Sequence, residues 1–144
     1  MNLDKEKLKN FEKLPADVRR EFSLLMNQYG QKKKESRIKS DFISFVKHVW
    51  PDFIEGSHHK EVAKKFNEIA EGKVKRVIIN MAPRHTKSEF ASYLLPAWMV
   101  GRNPKLKIIQ STNTTELSVR FGRKAKALMD SPEYKEVFQT RLKE

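Results

Sequence analysis

The stretch from Val74 to Gln110 changes its hydrophobic period twice, and this constrains the fold more than any other feature of the chain. Val77-Ile78-Ile79 is a short β-branched block bounded by Gly72 and Pro83, the pattern of a buried strand. A loop over residues 82–86 follows at once. Helical spacing resumes at Ser88, with Phe90, Leu94, Leu95 and Trp98 on one face, until Gly101 and Asn103-Pro104 break it. Pro96 lies inside that helix and predicts a kink or an early end. A second strand is predicted over residues 106–110. Strand, loop, helix and strand in that order make a βαβ unit, so the predicted class is α/β, with a parallel sheet and a right-handed crossover.

The flanks read as helices. Val18, Phe22, Leu25 and Tyr29 recur at helical spacing between Pro15 and Gly30, which predicts a short amphipathic helix ending at that glycine. Gln31 to Arg37 is basic and lacks apolar periodicity, and it reads as a flexible link. Residues 1–36 are therefore taken as an N-terminal helical appendage with its basic linker, and residues 37–144 as the main body. Phe42, Phe45, Val46 and Val49 form a helical stripe ended by Trp50-Pro51. Ser57 is the expected N-cap of a helix carrying Val62, Ala63, Phe66, Ile69 and Ala70, with Gly72 placed to end it. A last helix is predicted from near Asn113, with Glu116 in a box-like arrangement, through Leu117, Phe121, Ala125 and Leu128 to Asp130-Ser131-Pro132. Its other face carries Arg120, Arg123, Lys124 and Lys126.

Charge narrows the partners. Thirty lysines and arginines against eighteen acidic residues leave a formal charge of +12, which favours polyanions such as nucleic acid or nucleotide phosphates. A solvated lysine face explains the same number. The absence of cysteine excludes disulfide, thiolate-metal and thiol chemistry. No histidine and carboxylate cluster has the spacing of a zinc site. The N-terminus has no apolar signal region, and no stretch approaches the roughly 18 apolar residues of a membrane span. A soluble, non-secreted protein is expected.

Between the first predicted strand and the helix stands Met81-Ala82-Pro83-Arg84-His85-Thr86-Lys87-Ser88. A phosphate-binding loop sits there because it uses the N–H groups at a helix start. In such loops backbone amides converge on phosphate oxygens, a lysine neutralises the terminal phosphates and the next hydroxyl coordinates magnesium. Lys87 and Ser88 fit the last two roles. The general pattern G-x-x-x-x-G-K-[ST] is broken, since Met81 and Thr86 occupy both glycine positions. A β-branched Thr86 at positive φ would be strained.

An ordered succession of motifs resembles the packaging ATPase of tailed-phage terminase large subunits, in which the loop reads P-P-R-H-G-K-S-E. The corresponding residues here are Ala82-Pro83-Arg84-His85-Thr86-Lys87-Ser88-Glu89, then Pro96-Ala97-Trp98, Gly101-Arg102-Asn103-Pro104 and Phe121-Gly122-Arg123. The departures are Ala82 for proline and Thr86 for glycine. The resemblance spans residues 58–138 and implies a P-loop NTPase-like core, preceded by helices and with an incomplete sheet. It implies an ATP- and Mg²⁺-dependent motor, assembled as a homo-oligomeric ring, that drives double-stranded DNA through the portal protein with a small terminase subunit in the host cytoplasm. The family's catalytic carboxylate strand and nuclease domain are expected downstream of residue 144, so this stretch is expected to hydrolyse little alone.

The resemblance also suggests roles for single residues. Arg84, His85, Thr86, Lys87 and Ser88 would line the ATP phosphates, with Ser88 on the magnesium ion or acting simply as an N-cap. Arg84 would serve as an arginine finger in cis, or else face solvent. Arg120 and Arg123 would serve as a trans finger or touch DNA, or else form a solvated basic face. His58 and His59 match the place of adenine contacts, or are exposed polar residues near a helix start. Two other functions stay open: a hydrolysis-dead nucleotide- or DNA-binding module, and a small P-loop kinase.

Overall fold

The computed structural model describes residues 15–140, and the part of the expected N-terminal appendage before Pro15 lies outside them. The chain divides into two units, Met1–Ser36 and Arg37–Glu144. Helix α1, Ala16–Ser40, continues through Gly30 and the basic segment, so neither the predicted stop nor the flexible link is present. An interior glycine costs a helix only about 1 kcal/mol, and the Gln, Lys, Glu and Arg residues beyond it are good helix formers.

The second unit is helical. It comprises α2 (Phe42–Val49), α3 (Ser57–Ala70), a continuous run made of α4 (Lys87–Glu89), a π-helical turn π1 (Phe90–Leu94) and α5 (Leu95–Arg102), then α6 (Thr115–Asp130) and α7 (Pro132–Val137). Phe42 is fully buried at its centre. Its ring meets Phe66 of α3 at 5.1 Å, Phe90 of π1 at 5.4 Å and Trp98 of α5 at 5.5 Å, each edge to face. This geometry places the positive edge of one ring on the negative face of the next.

A polar clasp fixes the start of α2. Asp41 caps it by accepting from Ser44 N at 3.0 Å, and Asn67 of α3 donates to the other carboxylate oxygen at 2.9 Å while accepting from Phe42 N at 2.9 Å. Partial burial opposes the Asp41 charge, but the hydrogen bonds from Ser44 and Asn67 and the nearby Arg37 outweigh it and hold the carboxyl below its ordinary value. The helix stops before Trp50-Pro51, where the proline rule puts its end. For α3 the N-cap is Gly56 and not Ser57. Gly72, at φ 74°, closes the far end, donating to Ile69 O at 2.9 Å while Lys73 N reaches Glu68 O.

The predicted α/β class is overturned: no strand occurs among the described residues, and the parallel βαβ core does not form. Residues 74–81 and 106–110 lack any helical or strand assignment. Ile78 is 90 % exposed and Ile109 97 % exposed, the opposite of buried strands. β-Branched composition disfavours helix in these segments, but a ladder also needs a second segment to exchange hydrogen bonds with.

Pro96 shows its effect one turn early. Without an N–H it cannot donate to the carbonyl four residues back, and the wider turn of π1 immediately precedes α5, which carries the proline in its first turn. The helix therefore runs on to Arg102. In α6 the N-cap is Thr114, whose side chain accepts from Leu117 N at 3.3 Å, rather than Asn113. Helix α7 was not predicted, although Ser131-Pro132 is an N-cap followed by proline at the first helical position. No described helix is long and apolar enough to cross a membrane.

Helix α7 packs closely on α5. Tyr134 donates to Ala97 O at 2.9 Å, and a Cβ on Gly101 would fall 2.6 Å from the Phe138 ring and 2.7 Å from the Tyr134 hydroxyl. Gly101→Ala is therefore expected to lower stability by about 1–3 kcal/mol through overpacking. Gly122→Ala, in α6 with nothing within 4 Å of the added atom, is expected to raise it by about 0.5–1 kcal/mol. Urea-unfolding midpoints of the two variants check both signs.

Candidate functional site

The exposed loop before α4 contains both non-glycine residues of positive φ among those described, Arg84 at 66° and Thr86 at 57°. Thr86, with ψ 8°, is left-handed and stands at the N-cap of α4, where its carbonyl accepts from Phe90 N at 2.9 Å. Ser88 lies two residues further on, so it is not the N-cap. A left-handed residue followed by a right-handed one turns successive N–H groups toward one side, the arrangement of an anion-binding nest. The first amides of the helical run also lack acceptors within it. Lys87 Nζ reaches back across the loop to Met81 O at 3.5 Å.

His59 lies beneath this loop. It occupies the first turn of α3 and is 6 % exposed, between Phe53 at 4.9 Å and Phe90 at 5.2 Å. Gly56 N donates to its Nδ1 at 2.9 Å, which leaves the proton on Nε2. Nε2 lies 2.7 Å from Thr86 Oγ1, and that hydroxyl donates to His85 O at 2.7 Å. The chain of bonds has one consistent direction, from Gly56 through His59 and Thr86 to His85. The narrow cleft around these groups is also lined by Val62 and Ile79 and has no room for a water molecule.

Burial pushes the His59 imidazole below its ordinary value, reinforced by His58 and His85 and opposed by Glu55. The His58 ring lies 3.8 Å from that of His59 and 5.4 Å from that of His85, and its Nε2 is buried without a partner among the described residues. His58, His59, His85, Thr86 and Lys87 are thus brought together. Arg84 is exposed at the loop tip. Arg120 and Arg123 lie on α6, where with Thr115, Glu116, Val119 and Lys124 they line an open groove of about 530 Å³.

One connection was invisible in the sequence. Glu89, directly after the loop, accepts from Lys124 of α6 at 2.9 and 3.1 Å, and Lys124 Nζ also lies 5.2 Å from the centre of the Tyr93 ring. Burial, together with the charge of Glu89 and a hydrogen bond to it, pushes the Tyr93 hydroxyl up to about 12. The two partners are 35 residues apart and no local pattern pairs them. Among the described residues no His, Asp or Glu cluster could hold a metal ion.

No family model matches the chain, and neither a curated protein nor a solved structure does.

A histidine whose folded value is lowered stabilises the fold fully above its unfolded value of 6.5, and that contribution is lost as pH falls through the lowered folded value. Urea-unfolding midpoints between about pH 7.5 and pH 5 should therefore fall toward the acid side, and His59→Phe should flatten part of that fall. The His59 ring proton followed by NMR should titrate below 6.5.

Proposed function

We propose that this chain is the ATP-binding part of a viral DNA-packaging motor of the terminase large-subunit type, working in the host cytoplasm. The observation that carries the reading is the position of Lys87, an ammonium folded back over a left-handed loop at the start of a helical run. A lysine there opposes the helix macrodipole, so a bound anion is the physical reason for its place. The ordered motifs from Ala82 to Arg123 add the family to the chemistry. The reading does not need a sheet within these residues, because the groups assigned to phosphate all belong to the loop and the helix after it.

In this reading Lys87 neutralises the terminal phosphates and the nest amides at Thr86 and Lys87 hold their oxygens. Ser88 would supply one oxygen to a magnesium ion, whose charge would offset that of the phosphates. Arg84, exposed at the loop tip, would meet charge developing on the outermost phosphate. Double-stranded DNA, the portal protein, the small terminase subunit and further copies of the chain are the proposed partners. The basic face of α6, with Arg120 and Arg123, is the surface offered to DNA or to a neighbouring copy.

A fluorescent ATP analogue titrated with magnesium into the wild type and Lys87→Ala tests the assignment. Loss of one charged hydrogen-bonding group at a phosphate is worth about 1.5–3 kcal/mol, so affinity should fall by roughly tenfold to a hundredfold. Equal binding by the two proteins would sink the phosphate role of Lys87.

A further inference from the structure

We infer that His59 is the positioning residue of the loop: it holds Thr86 in the left-handed conformation that a glycine would adopt unaided. The inference rests on the phosphate reading for its consequence, and on geometry alone for its cause.

Left-handed backbone is strongly disfavoured for a β-branched side chain, because Cβ crowds the neighbouring carbonyl. Such a conformation persists only where the surroundings over-determine it. Here the determinant is the Thr86 hydroxyl, 2.7 Å from His59 Nε2 on one side and donating to His85 O on the other. A glycine has no hydroxyl to offer, so threonine introduces both the strain and the means of holding it. The His59–Thr86 bond is partly buried, and a hydrogen bond of that kind, worth about 1 kcal/mol, is of the size needed to offset one such residue.

The anchor is itself held on several sides. His59 has no spare ring nitrogen, since Nδ1 takes the Gly56 N–H and Nε2 carries the proton given to Thr86. Phe53 and Phe90 press on its ring from two other elements. The charged and titratable groups around it are Glu55 from the preceding loop, His58 from its own helix, His85 from the loop and Lys87 at the start of α4. A second proton on the ring would have to enter at Nδ1, against the Gly56 N–H, and would break the chain at its first link. In this inference His59 acts on bound phosphate through Thr86.

A two-residue cycle tests this. The same magnesium-ATP analogue is titrated into wild type, His59→Phe, Thr86→Gly and the double variant. His59→Phe is expected to weaken binding by about tenfold with Thr86 present and by less than about threefold with glycine at that position. Equal weakening in both backgrounds, or none in the first, overturns the inference. A second reading needs no nucleotide and separates failure here from failure of the phosphate assignment. In wild type, ¹⁵N shifts of the His59 imidazole should report the Nε2–H tautomer, and backbone shifts of residue 86 should report left-handed geometry that is lost in His59→Phe. The opposite tautomer, or a residue 86 unchanged by the substitution, overturns the positioning role whether or not nucleotide binds.

Discussion

The second unit depends on the enclosure of one aromatic ring. Phe42 has no exposed surface, and three other rings from three separate elements close on it edge to face. Each such contact adds about 0.5–1.5 kcal/mol beyond burial of the apolar area. The position of that ring is set by the polar clasp of Asp41, Ser44 and Asn67, so α2 and α3 are oriented before any loop is considered. The loop inherits this rigidity through Phe90, which touches Phe42 on one side and Phe53 and His59 on the other.

Of the two strained residues, Thr86 is tied to this packed centre through His59, while Arg84 is exposed at the loop tip. Arg84 and Thr86 each have positive φ without being glycine, and strain of this kind is kept only where the frame resists relaxation. The π-helical turn lies one step further along the same run. It brings Phe90 and Leu94 into the core and takes up, on the loop side of Pro96, the irregularity that the proline demands. The Glu89–Lys124 pair then couples the run to α6, although with both side chains about a third exposed its worth is that of a half-solvated ion pair, below about 1 kcal/mol.

Much of the helical architecture is legible residue by residue. Trp50-Pro51 stops α2, Gly72 closes α3 and Asp130-Ser131-Pro132 ends α6, each by a local rule of backbone geometry. The loop is also found in its place between an apolar block and a helix, with Lys87 at the junction. Where local rules compete, the outcome departs from any one of them: Gly30 is outweighed by the good helix formers after it, and capping falls at Gly56 and Thr114, one residue away from Ser57 and Asn113.

What the sequence by itself determined, then, is most of the helical segments, several of their ends and which residues stand at the loop, because helical hydrogen bonds close within four residues and caps within three. Only the tertiary structure decided the rest. Val77-Ile78-Ile79 and Ile108-Ile109 have the composition of strands, yet a strand is completed by a partner elsewhere, and none is paired among the described residues. Likewise, nothing in the period of α3 aims His59 at a threonine 27 residues away. That bond exists because Phe42, Phe66 and Phe90 pack α3 against the helical run, and packing between distant segments is a property of the folded chain.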